Sequence, residues 1–147
     1  MEAKDLCKIF IDTGGLIALL DETDTYHREA SVFYRSLSRG ALVYTSILVI
    51  SETYTWLRYH INTHTAYRFL QIIEKATRNG HIKCIIPDIE LVSKTHVVLR
   101  EYQDQNLSYT DAMSFVILEV YDIQDVFGFD SHFYSVGRNL WPCVKRR

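Results

Sequence analysis

Four acids in this chain stand where carboxylates do chemistry: Asp12, Glu52, Asp111 and Asp130. Asp12 closes the apolar run Ile9-Phe10-Ile11, and Thr13-Gly14-Gly15 separates it from a second apolar run beginning at Leu16. A strand buried on both faces of a parallel sheet reads as such a continuous run. Ligands of open α/β sheets bind beyond the carboxyl ends of those strands. Asp130 follows Val126-Phe127-Gly128-Phe129 in the same way, Glu52 lies in the helix after the second strand, and Asp111 opens a nearly all-apolar helix. Each also has an ordinary structural use. Asp12 and Asp130 can cap the segments that follow them, and Glu52 can be a solvated residue of an amphipathic helix. Asp111 completes Ser108-Tyr109-Thr110-Asp111, a capping-box pattern. As a set they mean more, because gathered carboxylates raise one another's pKa unless positive charge sits among them. A hard divalent cation with oxygen ligands, magnesium or manganese, meets that need. Such a site lowers the pKa of water and stabilises charge developing on a phosphate.

The elements that must position these acids alternate along the chain. After the opening strand, Leu16 to Leu20 reads as a short helix and Asp21 to Asp24 as a polar turn. A helix from about Thr25 to Ser38 carries Ala30, Phe33, Tyr34 and Leu37 on one stripe, the helical period of an amphipathic segment. Gly40 is read as its end. A second strand, Ala41 to Ser46, feeds the helix bearing Glu52 and Trp56, and another helix spans Thr63 to Arg78 before the stop signal Asn79-Gly80. Ile82 to Ile86 is the third strand, closed by Pro87-Asp88, with Asp88 capping a helix that contains Leu91, Val98, Leu99 and Tyr102. The run Ala112 to Leu118 predicts a helix buried on most sides. Val126 to Phe129 is the fourth strand, and a short helical segment leads to a last strand from Leu140 to Val144. Pro142 predicts that this last strand lies at an edge. Strands alternating with helices give a parallel sheet covered on both faces.

At 147 residues, with 48% apolar and 23% charged side chains, the chain reads as a single domain able to bury a real core. No apolar run reaches the ~20 residues of a membrane helix, and no basic-plus-apolar leader precedes Ile9. A cytoplasmic protein is expected. Cys7, Cys84 and Cys143 are an odd number without a C-x-x-C pair, so they read as small apolar residues and not as a disulfide framework or zinc site. The formal charge of −2 does not advertise nucleic-acid binding, which would need a local patch or a bound cation.

Asp12-Thr13-Gly14-Gly15-Leu16-Ile17-Ala18-Leu19, Thr45-Ser46 with Ser51-Glu52, Tyr109-Thr110-Asp111-Ala112, and Phe129-Asp130-Ser131-His132-Phe133 occur in that order. Together they resemble the signature of the PIN-domain family, over essentially the whole chain, 1–147. Within that family the chain looks most like the single-domain VapC-type toxins, endoribonucleases of toxin–antitoxin pairs. Gly14 departs from the family, where many members carry serine or asparagine. The resemblance implies a three-layer α/β/α sandwich with a central, mostly parallel sheet of about five strands. It implies Asp12, Glu52, Asp111 and Asp130 as an acidic tetrad holding Mg2+ or Mn2+, with Thr13, Thr110 and Ser131 as hydroxyl neighbours that orient carboxylates or water. Hydrolysis would leave a 5′-phosphate and a 3′-hydroxyl. A VapB-type antitoxin and a homodimer are the implied partners, with no membrane.

RNA approaching an acidic pocket needs cations nearby. Arg58, His60, His64 and Arg68 surround one helix–helix junction, with Arg35, Arg39 and the tail Lys145-Arg146-Arg147 as further candidates; any of them can equally be a solvated surface charge. Exposed single-stranded or loop RNA, whose bases are accessible, is the expected target. Two other enzyme classes fit less well. An aspartyl-nucleophile phosphohydrolase needs a second Asp where Gly14 stands, and a phosphoacceptor receiver domain needs an acidic pair before the first helix and a late lysine. An RNA-processing nuclease without an antitoxin, or a catalytically silent PIN-like binding module, would share the same fold.

Overall fold

A computed structural model describes residues 2–143. After a single 3-10 turn at Ala3–Asp5, the elements are β1 Lys8–Ile11, α1 Thr13–Leu20, α2 His27–Ser36, β2 Leu42–Ser46, α3 Ile47–His60 and α4 Thr63–Arg78. They continue with β3 Ile82–Ile85, α5 Ile89–Glu101, α6 Tyr109–Val120, β4 Asp125–Phe127, α7 His132–Ser135 and β5 Asn139–Trp141. The five strands form one sheet in the order β3-β2-β1-β4-β5, and every neighbouring pair is parallel. This is the expected α/β/α sandwich.

The sheet order explains why the site lies where it does. The chain steps outward from β1 to β2 to β3, then returns to the other side of β1 to lay down β4 and β5. Right-handed crossovers put the helices of the two directions on opposite faces. Phe33 of α2 accordingly packs on Phe127 and Trp141, while Phe115 of α6 meets Phe133 of α7. Between β1 and β4 the order reverses, which opens a crevice at their carboxyl ends. Asp12 and Asp130 follow these two strands.

Burial follows the patterns that predicted it. Ile9, Phe10 and Ile11 are fully buried, and every residue from Ala112 to Leu118 is buried. Asn62 caps α4 through the Thr65 N–H (2.7 Å), and Gly80 ends it in the left-handed region at φ +76°, where glycine is unstrained. Asp88 caps α5 as expected, accepting from the Leu91 N–H at 2.8 Å. β5 is an edge strand, with Pro142 just beyond it. Its expected last residue, Val144, and the basic tail Lys145-Arg146-Arg147 lie outside the described residues.

Several boundaries differ from expectation for local reasons. α1 begins three residues earlier than Leu16 and takes in both glycines. A Cβ on Gly15 would stand 2.5 Å from the Phe127 carbonyl oxygen, so only glycine lets α1 lie this close to β4. α2 is shorter than 25–38. At its start the Asp24 side chain holds the Tyr26 N–H in a turn (2.8 Å), and Leu37 leaves the helix in an extended conformation. Gly40 therefore belongs to the following turn, closed by Ala41 N–H to Ser38 O, and does not end α2. The cysteines are free, but Cys7 and Cys143 are exposed and only Cys84 is half-buried, so the apolar reading fails for two of the three. Among the described residues no helix is long and apolar enough to cross a membrane.

Candidate functional site

Asp12 occupies the N-cap position of α1, yet its side chain caps nothing. Its main chain does the local work: the N–H donates to Phe127 O (3.0 Å) and its carbonyl accepts from Leu16 N–H (3.1 Å). The carboxylate is therefore free of structural duty. It is also buried, 5% exposed, and its Oδ1 has no hydrogen-bond partner. Gly128 stands alongside, where a Cβ would lie 3.1 Å from that of Asp12. Burial first, and then Asp111, Asp130 and Glu52, push the Asp12 carboxyl up to about 7, against the opposing pull of the Thr13 N–H. An orphaned buried carboxylate oxygen is costly, and groups perturbed this way cluster at functional sites.

Asp111 is held by Ser108 at the start of α6. Its N–H donates to Ser108 Oγ (3.0 Å) and its Oδ2 accepts from the Ser108 N–H (3.0 Å), a complete capping box. The same two bonds fix its carboxylate at the start of α6. Asp130 turns back on its own loop, where Oδ1 accepts from the His132 backbone N–H (2.9 Å) and from His132 Nδ1 (2.8 Å). Ligand-type atoms of Asp111, Asp130 and His132 all lie within 4.8 Å of one another. Glu52 projects from α3 as an exposed residue. It lies outside that tight group, though its charge still reaches Asp12.

The hydroxyl neighbours are unequal. Thr13 Oγ1 is buried beside Asp12 without a partner, Thr110 is half-buried, and Ser131 is exposed. Thr45 Oγ1 donates to Ile11 O (3.1 Å) and Ser46 caps α3 through Val49 N–H. The first of these bonds ties the end of β2 to the strand that presents Asp12.

The candidate RNA-binding cations have different surroundings. Arg58 donates to Tyr54 Oη (3.2 Å) and lies over the Tyr67 ring. His60 stacks on Trp56 at 4.6 Å. His64 and Arg68 instead line a groove of about 500 Å³ between the end of α1 and the start of α4, with Asp21, His27 and Ile61. That groove contains none of the four acids. The residue that sequence reasoning missed is His132. It stood inside the quoted Phe129-Asp130-Ser131-His132-Phe133 segment, and its only signal was a position two residues after an aspartate.

A buried carboxylate with an unpaired oxygen thus stands at the reversal point of a parallel sheet, within reach of the charges of acids on α3, α6 and the β4 loop. The PIN-domain family model matches residues 9–139, and the chain belongs to that family. More particularly, it is 27% identical over 130 residues to the 23S rRNA-specific endonuclease VapC20 of Mycobacterium tuberculosis, covering 88% of this chain and 94% of that one. The fold is likewise similar to the crystal structure of M. tuberculosis VapC20, described as a Sarcin-Ricin loop cleaving toxin. The TM-score is 0.80 and the identity 24%, over 89% of this chain and 96% of that one. PAE2754 from Pyrobaculum aerophilum superposes at TM-score 0.59, 17% identity, 93% and 91% coverage. FitAcB from Neisseria gonorrhoeae also gives 0.59, at 12% identity, 90% and 95% coverage.

Proposed function

We propose that this chain is a divalent-cation-dependent endoribonuclease, the toxin of a VapBC-type toxin–antitoxin pair. The observation that carries the reading is Asp12: a buried carboxylate with an unpartnered oxygen, within reach of the charges of Asp111, Asp130 and Glu52. All-oxygen donors suit Mg2+ or Mn2+, and Asp12, Asp111, Asp130 and Glu52 are the residues that would hold the ion. When bound, it would activate water and neutralise charge on the phosphate oxygens. The protein's own contribution is preorganisation. Ser108 fixes Asp111, burial fixes Asp12, and Thr13, Thr110 and Ser131 offer hydroxyls around them. Arg58, His60, His64 and Arg68 would hold the RNA backbone. An antitoxin and a homodimer complete the proposal, on the resemblance to VapC-type toxins.

VapC20 is described as specific for 23S rRNA, so ribosomal RNA is the first substrate to test. Purified protein is incubated with a structured RNA pool containing 23S rRNA, with Mg2+ or Mn2+ and with EDTA. The Asp111→Asn variant runs beside it. Cutting that requires the ion and disappears in the variant is the expected result. Activity surviving either change refutes the site.

A further inference from the structure

The acids of this site differ in how they are held. Among the described residues no Lys or Arg pairs with any of them, so uncharged donors must orient them. Asp12 has the Thr13 N–H, Asp111 has the Ser108 N–H, Glu52 has no donor among the described residues, and Asp130 alone has two donors on one oxygen. One of those two comes from the His132 ring. A carboxylate only accepts, so Nδ1 carries the proton and donates it to Oδ1.

We infer that His132 is a positioning residue for Asp130. The backbone N–H by itself closes a turn that any residue at 132 would allow. The ring N–H adds a second bond to the same Oδ1, at 2.8 Å, which fixes the carboxylate plane and leaves Oδ2 without a protein donor. Asp130 needs this more than its neighbours do. It is one-third exposed, so burial does not restrict its rotamers as it restricts those of Asp12. The carboxylate also stands on a loop beyond β4, while Asp111 is carried by a regular helix. Outer partners that orient a ligating carboxylate are worth about 10–100-fold in metal affinity or activity. The inference rests on the metal-dependent reading above.

The test measures Mn2+ affinity by calorimetry, with RNA cleavage as a second readout, for the parent, His132→Ala, His132→Asn, His132→Gln and Asp111→Asn. An Asn amide N–H can occupy the place of Nδ1–H, whereas a Gln amide reaches one bond further. Expected are a loss of about tenfold or more in Mn2+ affinity for H132A and H132Q, and recovery to within about threefold of the parent for H132N. kcat should fall with affinity while KM for RNA stays unchanged. If H132A does not fold, the Asn–Gln pair carries the comparison. Parent-like affinity in H132A and H132Q overturns the inference while D111N still loses the ion. H132N as weak as H132A also overturns it, because the ring would then act as a ligand and not as a positioner. A parent that binds no Mn2+, indistinguishable from D111N, refutes the metal reading itself and this inference with it.

Discussion

Replacing Asp12 by asparagine measures what a buried charge among carboxylates does to the fold. In the metal-free protein the Asp12 carboxyl is pushed from 3.8 to about 7, chiefly by burial and then by Asp111, Asp130 and Glu52. Between those values the folded chain keeps a proton that the unfolded chain has released. Stability from this group is therefore full below about pH 4 and declines as pH rises to about 7. At about 1.4 kcal/mol per pH unit, ionised Asp12 costs the metal-free fold roughly 4 kcal/mol at pH 8. Asn removes the charge, but its buried amide enters a place where Oδ1 already lacks a partner, which costs about 1–3 kcal/mol. Asp12→Asn should thus be about 1–3 kcal/mol more stable than the parent at pH 8. At pH 5 that advantage shrinks by about 2–3 kcal/mol. Urea unfolding in EDTA at the two pH values measures both numbers. Mn2+ at a hundred times its dissociation constant should then add about 2.7 kcal/mol to the parent and nothing to the variant. A parent–variant difference that is the same at pH 5 and pH 8 refutes the electrostatic argument.

Two further perturbations test the frame of the site and its substrate contacts. Gly15→Ala forces a Cβ against the Phe127 carbonyl at 2.5 Å and should destabilise by about 1–3 kcal/mol. Gly14→Ala meets only Phe129, at 3.8 Å, and should be neutral or stabilising by about 0.5–1 kcal/mol; equal melting shifts in the two variants refute the assignment of α1–β4 contact to Gly15. Arg68→Ala should raise KM for RNA severalfold with kcat unchanged and lower the log–log salt slope by about one. An unchanged slope removes Arg68 from the RNA-binding surface.

What could be read from the sequence depended on whether a feature is local. α4 runs from Thr63 to Arg78 as its period and its flanking Asn62 and Asn79-Gly80 indicate, because its ends are set by residues adjacent to them. The nearly all-apolar run 112–118 indicated a helix buried on most sides for the same reason. The ends of α2 were not legible as helix ends. They are set by an Asp24 side-chain turn and by the extended Leu37, and a period of 3.6 says nothing about either. Cys7 and Cys143 read as apolar from their type, but exposure is a property of the places the fold gives them. Gly15 is visible as a glycine, while its purpose depends on a carbonyl more than a hundred residues away in β4.

The acids show where the ordinary and the functional readings of a residue stop competing. For Asp111 the two are compatible, since the capping box that starts α6 also holds its carboxylate still. For Asp12 the sequence allowed a helix cap, yet in the fold its side chain caps nothing and is buried with an oxygen unpaired. A carboxylate kept in that state, with three other acids raising its pKa, opposes folding unless a cation joins it. Local consistency normally favours a fold, and sites that violate it are where function is sought. It follows that substitutions which remove the buried charge, at Asp12 above all, should stabilise the metal-free chain and remove its ability to gain stability from the ion. Under the proposed function, stability and activity are then coupled through the same few oxygens.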